Sequence, residues 1–372
     1  MKVILYIGHH KVGSTSLQNF LSQNSFRLLE NGILYPATES EGFSYMLAKA
    51  VAGRDFNEHL PINIREPHNA LAFRLMAQLE NHHIPPFHKA IPAPQQIKAI
   101  LKNQFAILAP DTVLICSEVL ANFGGAGPKL IDQLLEMLGD VELDIYCALR
   151  RPDDYLASWH GQRLKFGHKL KPLSEDALNG YVNSIHFNYQ KMLAPWINRC
   201  PQARFHVRNY ADILKSGGSI IDFMTTYDVG WPDNMIPVER ANPSIPVPLR
   251  EIARRGNHDL SRDQAEDLRH FLMAQRRHLD LPPDRDVEVF GQANRQRMFD
   301  SFLPHEVFLR TATGAEAFFP DLEEMLETRP MPEVKAVAVA LEQLTARART
   351  ARDLDPAVTE FLNNLSTQYA TA

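Results

Sequence analysis

Cysteine is scarce in this chain: 372 residues hold three, Cys116, Cys147 and Cys200, far apart and never in C-x-x-C spacing. That excludes a disulfide framework and a cysteine zinc site. It reads as small buried side chains in a reducing compartment. Long apolar runs are missing too. No stretch approaches the ~20 residues that span a bilayer. The opening "VILYI" is too short for a secretory leader and precedes no cleavage site. These absences give the expectation of a cytoplasmic protein with no membrane span. Positive charge is not in excess either. Lys and Arg number 39 against 44 Asp and Glu, for a formal net charge of -5. Nucleic-acid binding by bulk electrostatics is therefore excluded, and any anion site must be local. Repeats, heptads and low-complexity tracts are absent as well.

What is present is alternation. Strand-like runs at 3–8, 32–36, 112–118, 141–149 and 204–210 are interleaved with helix-like stretches. The helical stretches cover 14–29, 95–106, 124–139, 152–166 and 218–227, the third opened by a glycine-rich turn at 124–127 and the fourth by a proline in its first turn. This order predicts an α/β fold with a parallel sheet and helices on both faces. Ligands in such sheets bind beyond the carboxyl ends of the strands. Three segments then share one edge: Gly8–Ser16, Ser117–Glu118 and Arg150–Arg151. Residues 37–94 are looser and rich in His and Pro, with helical pieces expected at 43–52 and 68–81. After about residue 242 the pattern is mostly helical, with an alanine-rich helix at 335–352.

The first segment is a near miss to a nucleotide phosphate loop. Gly8 and Gly13 have the spacing of G-x-x-x-x-G-K-[ST], but Ser14 fills the lysine position. The loop's lysine, Lys11, comes two residues before the second glycine. A strand-to-helix turn of this kind presents backbone N–H groups and a helix dipole to an anion. Ser14, Thr15 and Ser16 add hydroxyls, and Lys11 adds a charge. The plainer alternative is that Ser14 caps the helix and Lys11 is surface. Ser14 in the lysine slot argues against a Mg-nucleoside triphosphate. A lysine earlier in the loop suits a short phosphoanhydride, whose bridging oxygen it can neutralise. The second motif is "ALRRPDDYLASW", where Arg150 ends a strand and Ser158 follows eight residues later. Together they can grip one phosphate. The alternative is a capped helix beside a surface arginine pair.

The two motifs together resemble the sulfotransferases that use 3′-phosphoadenosine 5′-phosphosulfate (PAPS). In that family a K-x-G-[ST]-[ST] loop after the first strand binds the 5′-phosphosulfate; here it reads Lys11-Val12-Gly13-Ser14-Thr15. The family's 3′-phosphate motif is a strand ending in Arg, then x-P and an acid, with Ser eight after the Arg. Here that is Arg150, Arg151-Pro152-Asp153 and Ser158. "GILYP" is similar to bacterial members. "VRNYADIL" (207–214) resembles a stretch that would set Tyr210 near the adenine, although Ala211 departs from the usual acid. "RANPSIPVPLREIARRGN" (240–257) resembles an Asn-x-Ser segment before a late helix. The R-K-G-x-x-G loop of the cytosolic animal enzymes is not found.

The resemblance implies a P-loop-NTPase-like α/β fold with a mostly helical C-terminal part. It suggests a sulfotransferase domain over 1–325, with 37–94 on the acceptor side, and a helical extension over 326–372 that packs on the main body or on a second copy as a homodimer. The implied cosubstrate is PAPS, with no metal. The implied acceptor is a hydroxyl or amine of a glycan, glycolipid, lipid or small molecule. Lys11 would stabilise the leaving oxygen. Glu118 is the candidate base at the end of "TVLICSE", with His10 its rival. His9, His59, His68, His82, His83 and His88 lie in or near the acceptor side, and "HHIPPFH" reads as a solvated loop rather than a zinc site. Arg163, Lys165 and His168 are further candidates for holding an acceptor, or else a solvated face. Two other functions fit the same residues: a P-loop kinase or NTPase with Glu118 as its second acid, and a non-catalytic nucleotide-binding protein.

Overall fold

A computed structural model describes residues 1–52, 60–79, 82–88, 90–238 and 244–370. His59 and residues 240–243 lie outside that set. The chain forms two compact units. The first comprises Met1–Arg151, Asn188–Ala241 and His305–Phe319. The second comprises Pro152–Phe187, Asn242–Pro304 and Pro320–Ala372.

The first unit is built on five parallel strands: β1 (Lys2–Tyr6), β2 (Ile33–Leu34), β3 (Thr112–Cys116), β4 (Glu142–Leu149) and β5 (Arg204–Asn209). Their order is β2-β3-β1-β4-β5. β1 and β3 read as unbroken apolar runs because both faces of a parallel sheet are covered by helices. Register is set by pairs such as Tyr6 with Cys116 on one side and Tyr6 with Tyr146 on the other. β1 runs directly into α1 (Ser14–Gln23). Leu17, Phe20, Leu21 and Leu28 form the buried face expected of this region, packed with Ile4, Tyr6, Leu114 and Tyr146. Each such side chain removed from water contributes ~1.5–3 kcal/mol.

Two expectations need correction. The helix predicted over 14–29 is interrupted at Asn24, and a second helix runs Ser25–Glu30. Asn24 uses its side-chain amide on distant backbone, accepting from Ile236 N at 2.7 Å and donating to Ile236 O at 3.0 Å. The glycine-rich turn predicted at 124–127 is partly helical, since Asn122–Ala126 forms one and a half turns before Gly127 breaks it. Gly124 is there for packing: a Cβ would occupy the place of the Met192 carbonyl oxygen.

The second unit is helical around its own core. Leu249, Ile252, Leu268 and Leu272 meet Val337, Leu341, Leu344, Val358 and Leu362. These come from helices Val247–Asp259, Arg262–Gln275, Glu333–Ala348 and Pro356–Ala370. Ser261 and Gln264 close a reciprocal cap on the second of these. A two-residue parallel pair, Val287–Glu288 with Met331–Pro332, is a strand feature the sequence pattern missed. The three cysteines are buried and free, as expected. Among the described residues, no helix is long and apolar enough to cross a membrane.

Candidate functional site

The strand order places four chemistry-bearing segments side by side along the carboxyl edge. Glu118 follows β3, the Gly8–Ser14 loop follows β1, Arg150 follows β4 and Tyr210 follows β5. Neighbouring strands are ~4.8 Å apart.

The loop begins under tight constraint. Gly8 lies against β4, where a Cβ would sit 2.6 Å from Ala148 N. His9 N then donates to Ala148 O at 2.9 Å. The chain turns through two left-handed residues, Lys11 (φ 62°) and Gly13 (φ 85°). Glycine takes that conformation freely, whereas lysine does so at a cost. Gly13, not Ser14, is the residue that precedes the helix, and it has no side chain with which to cap it. Ser14 is already the first helical residue and is buried. The plainer reading, in which Ser14 caps the helix, is therefore corrected. Gly13 offers no side-chain cap to the first-turn N–H groups of α1, beside which Thr15 and Ser16 are half-buried. This is the arrangement that holds an anion.

The loop is braced from behind. Ser219 donates its hydroxyl to Gly13 O at 3.0 Å. Ser219 opens the helix Ser219–Thr226, which is anchored by the buried Asp222. Asp222 accepts from Arg208 at 2.6 and 3.1 Å, from Tyr146 at 2.6 Å and from Ser216 at 3.0 Å. Burial pushes its carboxyl up, but these donors outweigh burial and hold it below the ordinary range.

On the β4 side, Tyr189 ties loop and arginine together. Its hydroxyl donates to Arg150 O at 2.6 Å, and its ring meets His9 edge-on at 4.4 Å. The Arg150 guanidinium lies 5.5 Å from the centre of the Tyr210 ring. Such a pairing contributes ~0.5–2 kcal/mol and leaves the planar fork of donors oriented. Tyr210 starts the helix Tyr210–Lys215, capped by Asn209, which accepts from Ala211 N at 3.0 Å. Ser158 is half-buried in the helix Pro152–Lys165 of the second unit. Arg163, on the same helix, lies over the Tyr181 ring.

On the β3 side, Glu118 is buried. Gln18 donates to one carboxylate oxygen at 3.1 Å and Asn69 to the other at 3.3 Å. Asn69 in turn accepts from Ser117 at 2.6 Å and donates to Glu66 at 3.0 Å. His10 Nδ1 stands 3.7 Å from Glu118. Burial pushes the Glu118 carboxyl up, yet His10, its own backbone N–H and Asn69 more than compensate and hold it below the ordinary range. Glu66 goes the other way: burial raises it, the charge of Glu118 adds to that, and Arg65 only partly offsets both.

Not every histidine of the region faces chemistry. His68 is fully buried, with Nδ1 accepting from Cys116 N and Nε2 within 3.1 Å of Pro36 O. Burial lowers it to about 3. It is a structural clamp between β3 and the chain after β2. His88 places Nδ1 2.8 Å from Asn63 Oδ1 and is lowered by burial to about 4. Among the described residues, no group of three His, Cys, Asp or Glu side chains is arranged to hold a metal.

Several residues of this arrangement escaped sequence reasoning, among them Gln18, Asn69, Tyr189, Ser219 and Asp222. Only Gln18 carried a signal, as a polar residue on the 14, 17, 18, 21 stripe that α1 buries.

No family model and no curated protein matches the chain. Among solved structures, it is similar to the sulfotransferase domain from the Synechococcus PCC 7002 olefin synthase. The likeness has 15% sequence identity and a TM-score of 0.31, over 76% of this chain and 96% of that one. A likeness at that level does not establish a family.

Proposed function

We propose that the chain transfers a sulfuryl group from PAPS to a hydroxyl or amine by in-line displacement. One observation carries the reading. An uncapped, left-handed anion loop stands on the central strand, with His10 and Glu118 on one side and Arg150 and Tyr210 on the other. The residues present fit a bisphosphorylated adenosine, because the residue at the cap position of α1 is Gly13, which has no side chain to compete for the first-turn donors. PAPS supplies the activated sulfuryl group when bound. Lys11 and the loop N–H groups then stabilise the charge that grows on the 5′-phosphate oxygen as its bond to sulfur breaks. Arg150 holds the 3′-phosphate, and Tyr210 lies against the base. His10 takes the proton of the attacking hydroxyl. Glu118, whose carboxylate stands 3.7 Å from His10 Nδ1, orients His10 and balances the imidazolium.

The test is a melting experiment. 3′,5′-bisphosphoadenosine without Mg²⁺ raises the melting temperature, and ATP with Mg²⁺ does not. The reverse pattern supports a phosphate-loop kinase or NTPase and overturns the proposal. Binding of the bisphosphate without turnover of PAPS on a broad acceptor panel identifies a non-catalytic binder.

A further inference from the structure

Two buried carboxylates, Glu66 and Glu118, share one partner, the buried Asn69 on the helix Pro67–Met76. All four hydrogen-bonding sites of the Asn69 amide are used. Its Nδ2 donates to Glu66 Oε2 at 3.0 Å and to Glu118 Oε1 at 3.3 Å. Its Oδ1 accepts from Ser117 Oγ at 2.6 Å and from Gln18 Nε2 at 3.1 Å. A flipped amide would set its oxygen against two carboxylates, so the orientation is fixed. The neighbours are pinned in turn. Arg65 donates Nε and Nη2 to Glu66 Oε1 at 3.0 and 2.7 Å. Gln18 donates to Glu118 Oε2 at 3.1 Å. Val119 N donates to Ser117 Oγ at 3.1 Å, which shapes the turn that carries Glu118. The oxygen that Asn69 holds, Glu118 Oε1, is the one 3.7 Å from His10 Nδ1. The row therefore reads Arg65, Glu66, Asn69, Glu118, His10, each in the first unit.

We infer that Asn69 is a positioning residue for the proposed transfer: it aims Glu118 Oε1 at His10 Nδ1, which keeps the ring proton on Nδ1 and makes Nε2 the nitrogen that takes the acceptor's proton. The inference rests on the function proposed above and names the residue that prepares its base. A neutral imidazole carries one ring proton, and an anionic oxygen facing Nδ1 holds it there. Asparagine is the side chain this place needs. It offers two N–H groups to two carboxylates and one oxygen to two donors. Aspartate would repel both carboxylates, and leucine would leave both short of a donor. Adhesion alone does not call for such a row, since apolar side chains of similar volume hold buried elements together as well or better. Burial and the charge of Glu118 raise the Glu66 carboxyl. Burial raises Glu118 too, but His10, its own backbone N–H and Asn69 outweigh it. The row thus biases negative charge toward the carboxylate that faces the imidazole.

The test reads the His10 ring by ¹⁵N NMR on histidine-labelled protein at about pH 8.5, above the ordinary imidazole range. His10→Gln identifies its signals among those of the 15 histidines. A bare ring nitrogen resonates far downfield of a protonated one. Wild type is expected to show Nδ1 protonated and Nε2 bare. In Asn69→Ala the two signals should converge, Nδ1 moving downfield and Nε2 upfield, as the tautomers mix. A tie with a structural role alone leaves them in place. The melting shift given by 3′,5′-bisphosphoadenosine should be retained, which shows that the variant folds and keeps its anion loop. If Asn69→Ala is unfolded, Asn69→Asp replaces it, because it keeps the oxygen that accepts from Ser117 and Gln18 and removes the donor to Glu118. Unmoved His10 signals in the folded variant, or a wild-type ring protonated on Nε2, overturn the inference. An absent melting shift in wild type, with the His10 signals still moved by the substitution, overturns the cofactor reading and leaves the hold of Asn69 on the His10 tautomer supported.

Discussion

Replacing Gly13 by alanine tests the loop at its most constrained point. The residue sits at φ 85°, ψ 11°, where a Cβ costs ~1–2 kcal/mol. That Cβ would lie 2.5 Å from Ser219 Oγ and 2.8 Å from Ser219 Cβ. The serine must move, which breaks its 3.0 Å bond to Gly13 O and costs a further ~1 kcal/mol. The sum is ~2–3 kcal/mol. For a unit of roughly this size it lowers the melting temperature by roughly 5–10 °C. Urea denaturation followed by circular dichroism measures it. A double-mutant cycle sharpens the test. Ser219→Gly removes the clash along with the bond, so the double variant costs about as much as Gly13→Ala alone, short of additivity by ~1 kcal/mol. A cost under ~0.5 kcal/mol for Gly13→Ala, or strict additivity in the cycle, refutes the left-handed turn braced by Ser219.

Three further outcomes follow from the site. Glu118→Gln alters acid stability. The folded carboxyl is held below its ordinary value of 4.5, so its contribution is complete above that pH and is lost as pH falls through the lower folded value. Acid titrations should show wild type losing more stability than the variant below about pH 4.5, and parallel curves would contradict this. His68 is neutral when folded, lowered to about 3 from 6.5. Its contribution is complete above pH 6.5 and erodes between there and pH 3, so His68→Gln should flatten the pH dependence by up to about 1.4 kcal/mol per pH unit; an unchanged slope would show that the ring is charged or exposed. Arg150→Ala should weaken 3′,5′-bisphosphoadenosine by roughly 10–100-fold in calorimetry, the loss of a charged hydrogen-bonding partner, with the melting temperature of the free protein little altered. Undiminished affinity would remove Arg150 from the site.

Much of the site was legible as local pattern. Apolar runs ending in Gly8, Glu118 and Arg150 marked strand ends, because a strand buried on both faces must be apolar throughout. Alternation with helices made the sheet parallel, and a parallel sheet gathers its strand ends on one edge. The absence of a cap on α1 was not legible. Ser14 looks like a cap, and only the backbone at Gly13 shows that the helix starts one residue earlier than a serine cap would require. Helix continuity at Asn24 was equally hidden, since the break depends on Ile236, 212 residues away.

The sequence alone determined which residues could hold an anion and the strand ends on which they sit, since short-range periodicity and steric preference act within a few residues. Tertiary structure decided what stands next to what. The strand order put Glu118 and Arg150 on opposite flanks of the loop. Packing brought Gln18 and Asn69 to Glu118 from 100 and 49 residues away. His10, the residue's own backbone N–H and Asn69 offset the burial that would otherwise raise the carboxyl. Whether Glu118 accepts a proton or steers a histidine is therefore a property of its neighbours, and desolvation and hydrogen bonding by distant residues leave no trace in the local order of amino acids.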